Sequence, residues 1–270
     1  MLEVRPLSPS IGAEVGGIDL GVQPDDSTRA ELDKAFIDHK VLFFRDQHIT
    51  TEQHVAFCRG FGQLEVHPFV PSKPGYPEVM VLTHDESRRG HENAWHSDVT
   101  WRAEPSLGSM LRAVEVPDVG GDTLFADMEA AYEGLGPAMQ EMCSTLTAVH
   151  DFTRVFGRYK TADELAAARE KFPPAEHPVI RTHPVTGRKS IYVNVAFTSH
   201  IVGLRPDESD QLLQHLYRQA AIPEHQCRFR WEPDSLALWD NRCVQHYAVS
   251  DYWPTRRVME RVTIVGDRPV

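Results

Sequence analysis

Arg257-Val258-Met259-Glu260-Arg261-Val262-Thr263-Ile264-Val265, near the C-terminus, is the stretch on which the fold turns. In an extended strand successive side chains alternate between faces, so Arg257, Met259 and Arg261 share one face while Val258 and Val262 occupy the other. A strand this rich in valine and isoleucine is not fully solvated, and two guanidinium groups on its inward face require anionic partners. Arginines fixed in the mouth of a barrel are receptors for carboxylate or sulfonate, through charge-assisted hydrogen bonds of roughly 1.5 to 3 kcal/mol each.

Further strand-like runs lie upstream at 236–239, 227–231, 123–125, 107–114 and 41–44. The runs 179–183 and 190–195 are joined by Pro184-Val185-Thr186-Gly187, a hairpin signal. Helical patterns cover 28–39, preceded by Asp26-Ser27 as a cap, and 207–220. Thr50 with Gln53 has the form of a capping box opening a helix toward Gly60. From Asp127 to Lys171 the pattern is helical, broken at Gly136-Pro137 and stopped by Pro173-Pro174, so a helical insertion is expected over about 127–176. Strands spread over the whole length predict an α+β protein with a double-stranded β-helix core, a jelly roll of the cupin kind, with helices packed outside it.

Composition limits the function classes. The chain has 270 residues, 41% of them hydrophobic, enough for one large core, and a single domain over 1–270 is the expectation. Its 39 acidic and 28 basic residues give a formal net charge of −11, which disfavours nucleic acid as a partner. Neither a secretory pattern nor a membrane-spanning apolar run is visible. The cysteines at 58, 143, 227 and 243 form no CxxC pair, which argues against a disulfide framework or a thiolate zinc site and for a reducing cytoplasm.

Trp95-His96-Ser97-Asp98 carries the chemistry. Fourteen His and 39 Asp plus Glu in 270 residues give about two chance occurrences of His-x-Asp/Glu, and His84-Asp85-Glu86 is another, so the tripeptide alone decides nothing. In a strand, His96 and Asp98 would point into a barrel together while Ser97 points away. His246, just past Leu238-Trp239-Asp240-Asn241-Arg242, is the candidate third ligand. A histidine chosen at random is a structural or surface residue in about nine cases of ten; the arginines that follow His246 reverse that balance. Two imidazoles and one carboxylate on one face of Fe(II) leave positions open for substrate and oxygen. His91-Glu92 with His96 is not a zincin helix, because its histidines are five apart and not on one helical face.

Taken in order, Ile11-Gly12-Ala13-Glu14, Val41-Leu42-Phe43-Phe44-Arg45, Trp95-His96-Ser97-Asp98-Val99-Thr100, Gly120-Gly121-Asp122-Thr123, and Trp239-Asp240-Asn241-Arg242 through His246 to Arg261 resemble the taurine dioxygenase family of Fe(II)/2-oxoglutarate oxygenases. That group also contains aryloxyalkanoate dioxygenases and alkylsulfatases. The resemblance covers nearly the whole chain. It implies that His96, Asp98 and His246 bind iron, that Thr123 and Arg257 hold the distal carboxylate of 2-oxoglutarate, and that His67 and Arg261 grip a sulfonate. Phe156 and Phe197 match aromatic residues of the substrate pocket; without the family they read as core. One departure stands out: where taurine enzymes place an asparagine for the substrate's amine, this chain has Glu92, with Asn93 one step over.

The implied reaction consumes O2 and 2-oxoglutarate and hydroxylates the carbon next to the sulfonate, giving aldehyde, sulfite, succinate and CO2. The same chemistry on an alkyl sulfate ester or an aryloxyalkanoate is the alternative. An inactive metal- or anion-binding barrel is the non-enzyme alternative, and the intact residue set speaks against it. The partner expected is a small anionic organic molecule, and the family suggests a homo-oligomer.

Overall fold

Arg257–Val265 lies inside an eight-stranded sheet in the computed structural model of the protein, which describes residues 2–90 and 93–270. Across that sheet the strands run Glu3–Pro6, Ala13–Gly16, Val41–Phe44, Leu236–Asp240, Ser106–Glu115, Arg257–Val265, Tyr76–His84 and Ser72–Lys73. All neighbours are antiparallel except Ala13–Gly16 with Val41–Phe44. A three-stranded sheet, Gln226–Phe229, Thr123–Asp127 and Val244–Ala248, forms a second layer.

Alternation along the strands sorts the core. Val41, Phe43, Leu111, Ala113, Ala237, Trp239 and Met259 turn inward and meet Phe125, Cys227, Phe229 and Val244 of the smaller sheet. The alternate positions Leu42, Phe44, Met110, Leu238 and Val262 turn outward and are covered by Leu32 and Phe36 of the helix Asp26–His39 and by Val55 and Phe57 of the helix Thr51–Arg59. The continuous apolar run Val41–Phe44 is therefore buried on both faces. Two sheets closed over one apolar interior make the jelly roll.

The Thr50–Gln53 capping box forms in both directions. The first helix opens two residues earlier than its pattern suggests, because Asp25 supplies the cap and accepts from the Thr28 amide.

The 127–176 interval departs from a purely helical insertion. Helices Met128–Glu133, Pro137–Cys143, Thr153–Phe156 and Ala162–Lys171 are present, but Thr147–His150 is a strand between Thr198–Ile201 and Ala175–Pro178. Its alternation buries Ala148 and His150 completely, and pairing on both edges overrides the helical surroundings. The hairpin is confined to Ile180–Thr182 with Lys189–Ile191. Outside these strands the amphipathic helix Pro206–Gln219 lays Leu213 and Leu216 on Ala148, Ile180 and Ile201. No helix among the described residues is long and apolar enough to cross a membrane.

Candidate active site

His96 and His246 meet at one end of the jelly roll as a reciprocal backbone pair: His96 N donates to His246 O at 3.1 Å, and His246 N donates to His96 O at 2.8 Å. This bridge stands alone. The strand expected through Trp95–Asp98 does not form, because the chain enters a turn at Asp98 and Val99 adopts a φ of 48°. The Asp98 amide is held by a side chain instead of a ladder, donating to Asn241 Oδ1 at 3.1 Å. Ser97 still points away, its hydroxyl donating to Val244 O at 2.7 Å.

The two imidazoles and the carboxylate converge. One ligand atom from each of His96, Asp98 and His246 lies within 4.8 Å of the others, with Asp98 Oδ1 3.8 Å from His96 Nε2 and 4.0 Å from His246 Nε2. His96 Nδ1 lies 2.8 Å from the Ala94 carbonyl, which accepts its proton, so in the neutral ring the lone pair is on Nε2. Burial pushes the His246 imidazole down to about 3, helped by His96 and Arg261 and opposed by Asp98, so the ring is neutral. Burial alone would raise the Asp98 carboxyl. The Arg261 guanidinium and the two imidazoles outweigh it and hold Asp98 below the usual carboxylate range. Neutral nitrogens and an ionised carboxylate are the protonation states a divalent metal requires, and this donor set fits Fe(II).

Asp98 is held from every side. Ser109 Oγ donates to Oδ2 at 2.7 Å, and Arg261 Nη1 donates to Oδ1 at 2.7 Å. Asn241 is saturated: its Oδ1 accepts from the Asp98 amide and from Trp239 Nε1, and its Nδ2 donates to Ser106 Oγ at 2.9 Å and Ser109 Oγ at 3.1 Å. Sequence reasoning gave Ser109 and Asn241 no role. The signal for Ser109 was a hydroxyl in the middle of the apolar run Leu107–Val114, which has to find a partner.

A cavity of about 960 Å³ opens onto this centre. His67, His96, Asp98, Phe156, Phe197 and Arg261 all line it, so the structure brings the expected substrate residues together with two of the three expected ligands. His67 Nδ1 accepts from the amides of Phe69 and Val70 at 3.2 and 3.1 Å, which places the proton on Nε2. Burial pushes this imidazole down to about 3, and Arg261 pushes in the same direction. His67 is thus a neutral hydrogen-bond donor. The Phe156 and Phe197 ring centroids stand 6.4 Å apart, with 26° between the ring planes. Glu92 lies outside the described residues, and Asn93 is exposed and absent from the described lining.

Thr123 and Arg257 are buried at the starts of their strands and do not line that cavity. Thr123 Oγ1 accepts from Trp231 Nε1 at 2.9 Å. Arg257 lies over Tyr252 and against Gly121, two residues before Thr123. A Cβ at Gly121, where φ is 70°, would sit 3.3 Å from Arg257 Nε, so glycine keeps the guanidinium's flank clear. Arg257 and Thr123 are thus both buried, and Gly121, two residues before Thr123, packs against the Arg257 side chain.

His183, Asp240 and Cys243 form a second close cluster with a structural role. His183 Nδ1 accepts from the amides of Val185 and Thr186, Nε2 donates to Asp240 Oδ2 at 3.1 Å, and Arg242 clamps the same carboxylate. No imidazole lone pair is left for a metal.

A jelly roll with two histidines and one carboxylate beside an arginine-bearing cavity has the donor set of the non-haem iron oxygenases. The chain belongs to the taurine catabolism dioxygenase TauD, TfdA family, whose sequence signature matches residues 3–263. It is a 2-oxoglutarate-dependent dioxygenase that uses Fe(II), 2-oxoglutarate and O2. Relatives include an alkylsulfatase of Acinetobacter baylyi, 36% identical over 98% of this chain and 86% of its own length. An α-ketoglutarate-dependent sulfonate dioxygenase of Saccharomyces cerevisiae is 34% identical over 100% of this chain and 68% of its own. An (S)-phenoxypropionate/α-ketoglutarate dioxygenase of Sphingobium herbicidovorans is 33% identical over 98% and 95%. Among solved structures, a putative α-ketoglutarate-dependent taurine dioxygenase from Burkholderia xenovorans superposes with a TM-score of 0.88 at 37% identity, covering 100% of this chain and 94% of that one.

Proposed function

We propose that this dioxygenase oxidises the carbon bearing the anionic head of an organic sulfonate, and that the substrate carries an apolar tail. The observation behind this reading is the buried end of the cavity: the cation Arg261 and the neutral donor His67 stand with Asp98, and Phe69, Val70, Leu82, Val155, Phe156 and Phe197 are among the walls. A sulfo group has three acceptor oxygens for such donors, and the aromatic walls take hydrocarbon.

In this reading His96, Asp98 and His246 hold the iron, and Thr123 with Arg257 receives the distal carboxylate of 2-oxoglutarate. Bound Fe(II) with 2-oxoglutarate and O2 supplies the oxidation, one oxygen atom entering the substrate C–H bond and the other entering succinate as CO2 leaves. Arg261 and His67 position that C–H bond by holding the head. Ser109 and Asn241 keep Asp98 in one orientation. Hydroxylation next to the sulfo group gives a hydroxysulfonate; its C–S bond then breaks as the hydroxyl becomes a carbonyl, releasing sulfite and an aldehyde.

A specific observation favours a second reading, an alkyl sulfate ester, over taurine. Asp98 is the one carboxylate among the described lining residues, so no further acid is there for taurine's ammonium. The cavity is also near the upper end of the ~300 to 1,000 Å³ typical of sites for drug-sized ligands. The test offers the Fe(II)-loaded enzyme taurine, an alkyl sulfonate and the matching alkyl sulfate with 2-oxoglutarate and O2. Sulfite from the alkyl sulfonate supports the first reading, and sulfate from the ester alone supports the second. Turnover of phenoxyacids alone would sink both.

A further inference from the structure

Arginines in this acidic chain are mostly neutralised where they stand: Arg29 by Asp33, Arg59 by Glu78, Arg102 by Glu65, Arg181 by Asp267, Arg228 by Asp122. With 39 acidic and 28 basic residues, most arginines find a carboxylate. Among the described residues that have no carboxylate partner, Arg218, Arg230 and Arg268 lie elsewhere, whereas Arg88, Arg89 and Arg154 all line the cavity that holds His96 and Asp98. Arg154 donates to a backbone carbonyl, Val195 O, at 3.4 Å. Arg158 lines the same cavity.

These four guanidinium groups come from two segments distant in sequence, one after the strand Tyr76–His84 and one at and after the short helix Thr153–Phe156. All four are exposed, whereas His67 and Asp98 are buried and Arg261 is 13% exposed. The cavity therefore has two cationic ends: a buried one beside the candidate metal centre and an exposed one at the mouth, with Leu82, Val155 and Phe156 among the apolar walls. Gathering like charges at an opening raises the free energy unless an anion sits among them.

We infer that the mouth is a second anion subsite, and that the preferred substrates are dianions: a sulfo or sulfate-ester head at Arg261, an apolar spacer, and a carboxylate at the mouth arginines. The inference rests on the proposed function for the head and adds the other end of the molecule. In the first reading of that function the consumed substrate is an ω-carboxyalkyl sulfonate and the product an aldehyde acid.

The probe pair is ω-sulfo-octanoate and its methyl ester, titrated into enzyme loaded with Fe(II) and 2-oxoglutarate and kept free of oxygen. The acid is expected to bind at least about tenfold more tightly than the ester at low ionic strength, with the ratio shrinking as salt is added. The double variant Arg88→Gln/Arg154→Gln should bring the ratio close to one, and Arg88→Lys/Arg154→Lys should restore much of it, because lysine keeps the charge. Exposed Arg218→Gln, off the cavity, should leave the ratio as in the wild type. Equal affinity for acid and ester in the wild type, or a preference that survives the double glutamine variant, would overturn the second subsite. Admitting oxygen reports separately on the head: sulfite from the ester supports the proposed function even where the acid shows no advantage.

Discussion

Ser109 Oγ donates to Asp98 Oδ2 at 2.7 Å, and together with Arg261, which donates to Oδ1, it fixes the carboxylate with Oδ1 toward His96 and His246. Ser109 belongs to the strand Ser106–Glu115, which is paired on one side with Leu236–Asp240 and on the other with Arg257–Val265, so its hydroxyl is as fixed as the sheet. Replacing Ser109 with alanine removes the restraint and strands one donor of Asn241. Metal affinity is predicted to fall about 10- to 100-fold, the range seen when a hydrogen bond behind a ligand is lost. An anaerobic Fe(II) titration in the presence of 2-oxoglutarate reads this directly; an unchanged midpoint would remove Ser109 from the account.

His246 is buried between Trp239, 4.9 Å away, and Phe125, 6.2 Å away by ring centroids. As a proposed ligand it is irreplaceable by a residue without a nitrogen lone pair. His246→Ala should abolish iron-dependent succinate formation while far-ultraviolet circular dichroism stays that of the folded protein. A variant that retains turnover would exclude His246 from metal binding.

Arg261 and Arg257 share a strand face but have separate tasks in the proposal. Arg261→Ala is predicted to raise KM for the anionic substrate about 10- to 100-fold, the loss of one charge-assisted contact, and to leave KM for 2-oxoglutarate nearly unchanged. Steady-state kinetics with each substrate varied in turn checks it. Loss of 2-oxoglutarate binding instead would mean that the two arginines have been assigned the wrong way round.

Stability should weaken on mild acidification. Burial pushes His54 down to about 3 and His177 to about 4, while an unfolded histidine titrates near 6.5. With the folded value depressed, the unfolded chain takes up protons first. The contribution is therefore complete above pH 6.5 and is lost progressively as pH falls toward 4 and 3. Each histidine costs about 1 kcal/mol between pH 6.5 and 5.5. Urea titrations at the two pH values should show that decline, and His54→Leu should make it shallower if the variant folds; a pH-independent midpoint would contradict the assignment.

Much of this was legible in the chain. The apolar run Val41–Phe44, the Thr50–Gln53 box and the alternation in Arg257–Val265 are local signals, and local physics determines them. Thr147–His150 was not legible, since four residues have too little periodicity to outweigh the helices on either side, and partners at 175–178 and 198–201 create the strand. The backbone around His96 and Asp98 departs from a strand for a related reason. Asn241, distant in sequence, replaces the ladder at Asp98, and nothing local announces it. The mouth arginines are ordinary surface residues in sequence; only folding brings Arg88 and Arg154 to one cavity.

The central claim is oxidation at the carbon that carries the sulfo head, and the stoichiometry of products tests it most directly. Enzyme loaded anaerobically with Fe(II), given 2-oxoglutarate, an alkyl sulfonate and then oxygen, is predicted to release sulfite and succinate in equal amounts, with the aldehyde matching both. Succinate formed without sulfite, or sulfite formed without 2-oxoglutarate, would contradict it.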